Sequence, residues 1–247
     1  LEYKRLITFG DSWTYGHGLP DCISGEKNPG EYPSELGWVN ILARKLDIEK
    51  VINLSRPGAS NRFILHRVVD FNNFKKDDLI IIQFSHFSRD FYFTKDDNVE
   101  FLGSWNLDPS STVAPEHWKH YVDRTEQEYI TRSYEHILAT INFLKLQDVT
   151  FHCISTEPFN SLNTYVYDSN KKIIPMNIGQ SKYTSLFIHN TLRDIKKYFL
   201  GEVFWETSEY GLKNKDYALD GSHWGIKTNL FCAEKIQYYL EKKWLIE

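Results

Sequence analysis

Short, nearly continuous apolar runs alternate along this chain with longer segments whose apolar residues recur every three or four positions. The runs read as buried strands and the longer segments as amphipathic helices. Leu6-Ile7-Thr8-Phe9 is the first run, and Gly10 ends it. From Pro33 to Leu46, residues Trp38, Ile41, Leu42 and Leu46 stand at helical spacing. Val51-Ile52-Asn53-Leu54 predicts a second strand, closed by Pro57-Gly58, and Ser60 stands where it caps a helix carrying Ile64, Leu65, Val68 and Val69. Leu79 to Phe84 is the clearest strand; its unbroken apolar character predicts a central parallel strand covered on both faces.

Periodicity then fades over residues 91–124, where Asp96-Asp97-Asn98, Gly103, Pro109 and Pro115 mix with Phe101, Trp105 and Trp118. A stretch this long is read as a loop-rich insertion at the rim of a site. Glu126 to Leu146 predicts a long helix with Ile130, Tyr134, Ile137, Leu138, Ile141 and Leu144 on one stripe, and Thr125 and Glu128 stand at capping-box spacing. Val149 to Ser155 predicts a fourth strand. Residues 156–180 read as loop, Tyr183 to Phe199 as helix, Val203-Phe204-Trp205 as a fifth strand, and a last helix follows Trp224. Alternating strands and helices predict one α/β domain over residues 1–247 with a mainly parallel sheet.

Composition narrows the function classes. The 29 basic and 33 acidic residues give a net charge of −4, with both signs scattered, so nothing points to nucleic acid or an anionic membrane surface. Hydrophobic content of 41% and charged content of 25% are those of an ordinary globular protein. No apolar run approaches the roughly 20 residues of a membrane helix. Cys22, Cys153 and Cys232 are far apart and odd in number, which fits reduced thiols rather than a disulfide framework. The first strand starts near Leu6 and leaves no room for a secretory leader in this sequence, so a cytoplasmic setting is the default expectation. Met176 is the only methionine, so Leu1 is not a native start, and a leader removed earlier would change that expectation. An aromatic content of 15% is high and gives a weak pointer to carbohydrate.

The chemistry sits where strands end. Ligands of open parallel sheets bind at the carboxyl ends of the strands. Ser12 follows the first strand, Gly58 the second, and Ser85-His86 the third; Asp220 and His223 precede the last helix. All can therefore reach one edge of the sheet. A serine hydroxyl becomes a nucleophile when a histidine takes its proton, and the histidine works best when a carboxylate holds its tautomer. A tetrahedral oxyanion also needs donors, and backbone N–H groups at glycine turns supply them.

In this order and spacing, Gly10-Asp11-Ser12, the segment Asn53 to Asn61 around Gly58, and Asp220-Gly221-Ser222-His223 resemble the blocks of the SGNH/GDSL hydrolase family. The resemblance spans nearly the whole chain. It implies a three-layer α/β/α fold with a flavodoxin-like sheet and no metal or organic cofactor. It also implies Ser12 as nucleophile, Asp220 as orienting acid and His223 as base, with the N–H groups of Ser12 and Gly58 as oxyanion donors. One block departs. The family carries Gly-x-Asn-Asp after the third strand, whereas this chain reads Gln83-Phe84-Ser85-His86-Phe87-Ser88-Arg89-Asp90. Replacement of the missing Asn donor by Ser85 or His86 is the favoured expectation, open between the two. Arg89 stands as an anchor for an acidic substrate or as a salt-bridge partner.

The implied activity is that of a serine ester hydrolase acting through an acyl-enzyme on a small-molecule or glycan ester, with a carbohydrate O-acetyl group as first choice. Two alternatives stand beside it: a non-catalytic binding or assembly module on the same scaffold, and transfer of the acyl group to an acceptor other than water. Phosphate-loop, dinucleotide-binding, His-Glu-x-x-His and Gly-x-Ser-x-Gly patterns are all missing from the sequence. His17 continues directly from the Ser12 turn; His66, His117, His120, His136, His152 and His189 read as surface or core residues. Asn53-Leu54-Ser55 has a glycosylation pattern but overlaps a strand expected to be buried.

Overall fold

The computed structural model describes residues 3–23, 30–96, 98–103, 126–156, 163–167, 173–177, 190–191 and 193–245. Its centre is a parallel sheet of β1 (Arg5–Phe9), β2 (Lys50–Asn53), β3 (Asp78–Phe84) and β6 (Thr150–Ser155), in the order β2-β1-β3-β6. Leu6 pairs with Val51 on one side and Leu79 on the other, and Ile82 pairs with Cys153. Every residue of β1 and β3 is buried, as central strands with two covered faces require.

The covering follows from side-chain alternation along a strand. Ile7, Phe9, Ile80, Ile82 and Phe84 face a core closed by α3 (Asn61–Asp70) and α4 (Glu126–Leu146) through Ile64, Val68, Ile137 and Ile141. Leu6, Leu79 and Ile81 face the opposite core. That core is closed by α2 (Trp38–Lys45), α5 (Val203–Asn214) and α6 (Ile226–Trp244) through Trp38, Leu42, Phe204, Ile236 and Leu240. The result is a three-layer α/β/α arrangement. Ser60 caps α3 as its position predicts, accepting from the Phe63 N–H at 3.2 Å. The three cysteines are buried and form no disulfide. No described helix is long and apolar enough to cross a membrane.

Several elements differ from expectation. Val203-Phe204-Trp205 opens helix α5 and is not a strand. The sheet edge is continued four residues earlier, where Phe199 bridges to Cys153 and the Leu200 N–H donates to the Cys153 carbonyl at 2.8 Å. Burial of Val203, Phe204, Thr207 and Gly211 shows the spacing of a helix face, which three apolar residues in a row concealed. Helix α2 begins at Trp38 rather than Pro33, because Asp21 holds the preceding turn by accepting from Ser34 and the Glu35 N–H. The aperiodic stretch after β3 contains an antiparallel hairpin, β4 (Asp90–Phe93) with β5 (Val99–Leu102). Of the rest of that stretch, residue 97 and residues 104–124 lie outside the described residues, as does Thr125 of the capping box. Within 156–180, β7 (Asn163–Tyr167) and β8 (Ile173–Asn177) form a second hairpin. Of the helix expected from Tyr183, residues 183–189 lie outside the described residues; 190–191 and 193–195 are helical, and a 3₁₀ turn spans Lys196–Tyr198.

The starts of the two central strands are locked by a pair with no local sequence signature. The Arg5 guanidinium donates to both Asp78 oxygens, at 2.6 and 2.7 Å, and also to the Asn73 carbonyl. Both residues are buried. Asp78→Ala leaves a buried guanidinium without its partner and is expected to destabilise the fold by roughly 3–5 kcal/mol. Urea unfolding reads this as a lower midpoint at unchanged slope.

Candidate active site

Strand β1 ends at Phe9, and after Gly10 and Asp11 a one-turn helix, α1 (Ser12–Tyr15), begins. Asp11 caps it: one carboxylate oxygen accepts from the Trp13 N–H at 3.0 Å. Gly10 is required by close packing, since a Cβ there would lie 2.5 Å from Thr14 Oγ1. The segment after β2 is laid against this turn by backbone bonds, Leu54 N–H to the Thr8 carbonyl and Arg56 N–H to the Gly10 carbonyl. Asn53 adds a side-chain bond to the Thr14 carbonyl at 2.9 Å, so this residue joins the two blocks. Gly58 comes to line the same cavity as Ser12. Its φ of +81° lies in the left-handed region that favours glycine. Among the described residues, neither the Ser12 N–H nor the Gly58 N–H makes a hydrogen bond.

Asp220 and His223 sit on a loop closed at its base. Tyr217 and Trp224 pair as an antiparallel bridge, and the Ala218 N–H donates to the His223 carbonyl at 2.9 Å. Within the loop, His223 Nδ1 lies 2.6 Å from one Asp220 carboxylate oxygen. The other oxygen accepts from the backbone N–H groups of Ser222 and His223, both at 3.0 Å. Burial pushes the Asp220 carboxyl up, but these two N–H bonds and the His223 ring outweigh it and hold the group at about 2. It is therefore an anion at any ordinary pH.

Ser12, Gly58 and His223 line one cavity of about 530 Å³, together with His17, Pro57, Arg89, Val99, Glu100 and Phe101. Ser12 Oγ and the His223 ring share this space without a hydrogen bond between them. Trp13 sits behind the histidine, with ring centroids 4.7 Å from His223, 4.7 Å from Trp224 and 5.6 Å from Phe204.

The loop after β3 does something the sequence does not announce. Ser85 is fully buried, and its hydroxyl donates to Asp11 at 2.9 Å while accepting from Arg89. Arg89 donates to the same Asp11 oxygen at 2.6 Å. Asn61 holds the Ser85 backbone, donating to its carbonyl at 3.0 Å and accepting from its N–H at 2.7 Å. Neither Ser85 nor His86 is among the residues lining the cavity, whereas Arg89 is. The Ser85–Asp11–Arg89 cluster thus holds the residue that caps the Ser12 turn.

His17 has a larger place than its sequence context suggests. Its ring stacks on His223 with centroids 4.6 Å apart and planes 14° apart, and its Nε2 lies 3.8 Å from Asp220. Burial first, and then the neighbouring His223, lower its pKa, against the pull of Asp220. Gly18 fixes this approach: a Cβ there would lie 2.8 Å from the Asp220 carboxyl, and the Leu219 N–H donates to the Gly18 carbonyl. The flanking glycines of Gly16-His17-Gly18, both at positive φ, are the signal that could have revealed a constrained loop. Among the described residues, His17, Asp220 and His223 are also the group whose ligand atoms, all within 4.8 Å, could gather a metal ion.

No protein-family profile matches the sequence, and no curated protein matches it. Solved structures do. One is a carbohydrate esterase whose active site displays divergent catalytic and non-catalytic binding functions (14% identity, TM-score 0.54, 98% of this chain and 66% of that chain). Another is the psychrotrophic esterase EstA from Pseudoalteromonas sp. (13% identity, TM-score 0.51, 99% of this chain and 100% of that chain). A third is the acetyl xylan esterase AlAXEase (16% identity, TM-score 0.50, 95% of this chain and 98% of that chain). At these identities the likeness establishes a shared fold, one on which ester hydrolases recur.

Proposed function

We propose that this chain is a serine ester hydrolase that works through an acyl-enzyme at Ser12, with an O-acetylated carbohydrate as its substrate. The observation that carries the reading is the 2.6 Å contact between His223 Nδ1 and an Asp220 carboxylate held anionic, on a cavity shared with Ser12 and Gly58. With Nδ1–H donating to Asp220, Nε2 of His223 is left as the base. Ser12 Oγ attacks the ester carbonyl carbon and its proton passes to Nε2. The carbonyl oxygen becomes an oxyanion facing the N–H groups of Ser12 and Gly58. Collapse breaks the bond to the alcohol, which leaves with the proton from His223. Water then attacks the acyl-Ser12 carbonyl, giving a proton to His223; the bond to Ser12 Oγ breaks, Oγ takes that proton back, and the acid is released.

Asp11, Ser85 and Arg89 position the turn that presents Ser12. In place of the Asn donor expected of the family, the cavity lining offers the side chains of His17 and of Arg89, whose guanidinium already serves Asp11. The carbohydrate assignment draws on the aromatic-rich insertion and on the printed activities of two fold neighbours, the carbohydrate esterase and the acetyl xylan esterase.

A fluorophosphonate probe tests the reading directly. Stoichiometric labelling that maps to Ser12 and disappears in Ser12→Ala is the expected result. Folded protein in which Ser12 stays unlabelled at high probe concentration would overturn it in favour of a binding module. Product analysis with an alcohol acceptor present separates hydrolysis from acyl transfer.

A further inference from the structure

The geometry points to Phe101 as the residue that limits the length of the acyl group, making this a site for acetyl and similarly short esters. The inference rests on the hydrolase reading above. In that chemistry the leaving alcohol takes its proton from His223, so the alcohol portion lies on the side of the cavity formed by His223 and His17. The acyl portion is then left to the remainder of the lining, which includes Pro57, Gly58 and the β5 residues Val99, Glu100 and Phe101. Phe101 stands on that wall immediately against Gly58: a Cβ built on Gly58 would lie 3.2 Å from Phe101 Cβ and 3.3–3.4 Å from its ring. An acyl chain whose oxyanion faces the Gly58 N–H meets this ring after very few carbons.

The wall is buttressed. Phe101 packs edge-to-face on Phe63 of α3, with centroids 4.9 Å apart and planes at 86°. Phe63 in turn meets Phe91 of β4 edge-to-face at 5.4 Å, and the Arg62 guanidinium lies 4.7 Å above the Phe91 ring. Next to Phe101, Glu100 accepts from the Tyr92 hydroxyl across the hairpin at 2.6 Å. A ring held from behind by packed aromatics yields little to a longer chain, because close-packed surroundings must move with it.

The test measures kcat/KM for p-nitrophenyl acetate, butyrate and octanoate on the intact chain, Phe101→Ala and Phe101→Trp. One methylene in a shaped pocket discriminates by about 10–200-fold. The parent protein is expected to prefer acetate over butyrate by at least about 10-fold and over octanoate by at least about 100-fold. Phe101→Ala should raise the octanoate-to-acetate ratio by about 10-fold or more, and Phe101→Trp should lower the butyrate-to-acetate ratio. Should the Ala variant fail to fold, the opposite shift in the Trp variant still decides. Ratios unmoved in the folded variants, or a parent preference for octanoate, overturn the inference while the hydrolase reading stands. A parent protein that neither turns over any ester nor reacts with fluorophosphonate at Ser12 overturns both.

Discussion

Ser12→Ala is expected to lower kcat/KM for ester hydrolysis by roughly 10⁴–10⁶-fold, the scale of removing the nucleophile of a serine triad. No other group in the cavity can replace it. The lining otherwise offers imidazoles, an arginine, a glutamate and apolar residues, and none of these forms the same acyl ester in the same place. The fold should survive the change: Ser12 makes no side-chain hydrogen bond to its described neighbours, and α1 is capped by Asp11 rather than by Ser12. Steady-state kinetics on a chromogenic ester, with thermal melts of both proteins, check this. Activity retained within about 10-fold would mean that the ester is cleaved by another route, and the acyl-enzyme would have to be abandoned.

The second large effect concerns the base and its carboxylate. His223→Ala should cost a similar roughly 10⁴–10⁶-fold in rate, and Asp220→Asn about 10⁴-fold, because an amide presents the wrong partner to Nδ1–H. The double variant should lose little more than His223→Ala alone, since the two act as one unit. A sum of the separate losses would show that Asp220 and His223 act independently. The pH dependence separates their roles further. Asp220 sits at about 2 in the folded protein, below the ordinary carboxylate range, so it contributes stability that is complete above that range and fades as pH falls toward 2. Asp220→Asn should therefore flatten that segment of the acid-unfolding profile. It follows that loss of rate between roughly pH 5 and 8 cannot arise from protonation of Asp220 and must come from another group of the site.

The helices and strands of the sheet core were legible because their signals are local. The apolar run of β3 and the stripe of α4 each report burial through spacing alone. Val203–Trp205 misled because three apolar residues in a row fit a strand or the first turn of a helix equally, and only the pairing of Phe199 with Cys153 decides between them. The hairpin β4–β5 was hidden for a different reason. Two four-residue strands are too short to establish a period, and their partners lie across the hairpin and on α3 rather than along the chain.

The candidate site divides along the same line. The amino-acid sequence by itself determined the parts whose geometry is set within a few residues: Ser12 on the turn after β1, and Asp220 with His223 three residues apart on one loop, where backbone N–H bonds from Ser222 and His223 complete the carboxylate's shell. Tertiary structure alone decided the parts that join distant segments. Ser85 and Arg89 reach Asp11 across 74 and 78 residues. His17 meets His223 only because two loops at one sheet edge pack together. Phe101 closes on Gly58 only because the hairpin folds over that edge. Local spacing encodes local elements. The groups that brace the Ser12 turn and wall the cavity are chosen by packing, and packing exists only once the chain has folded.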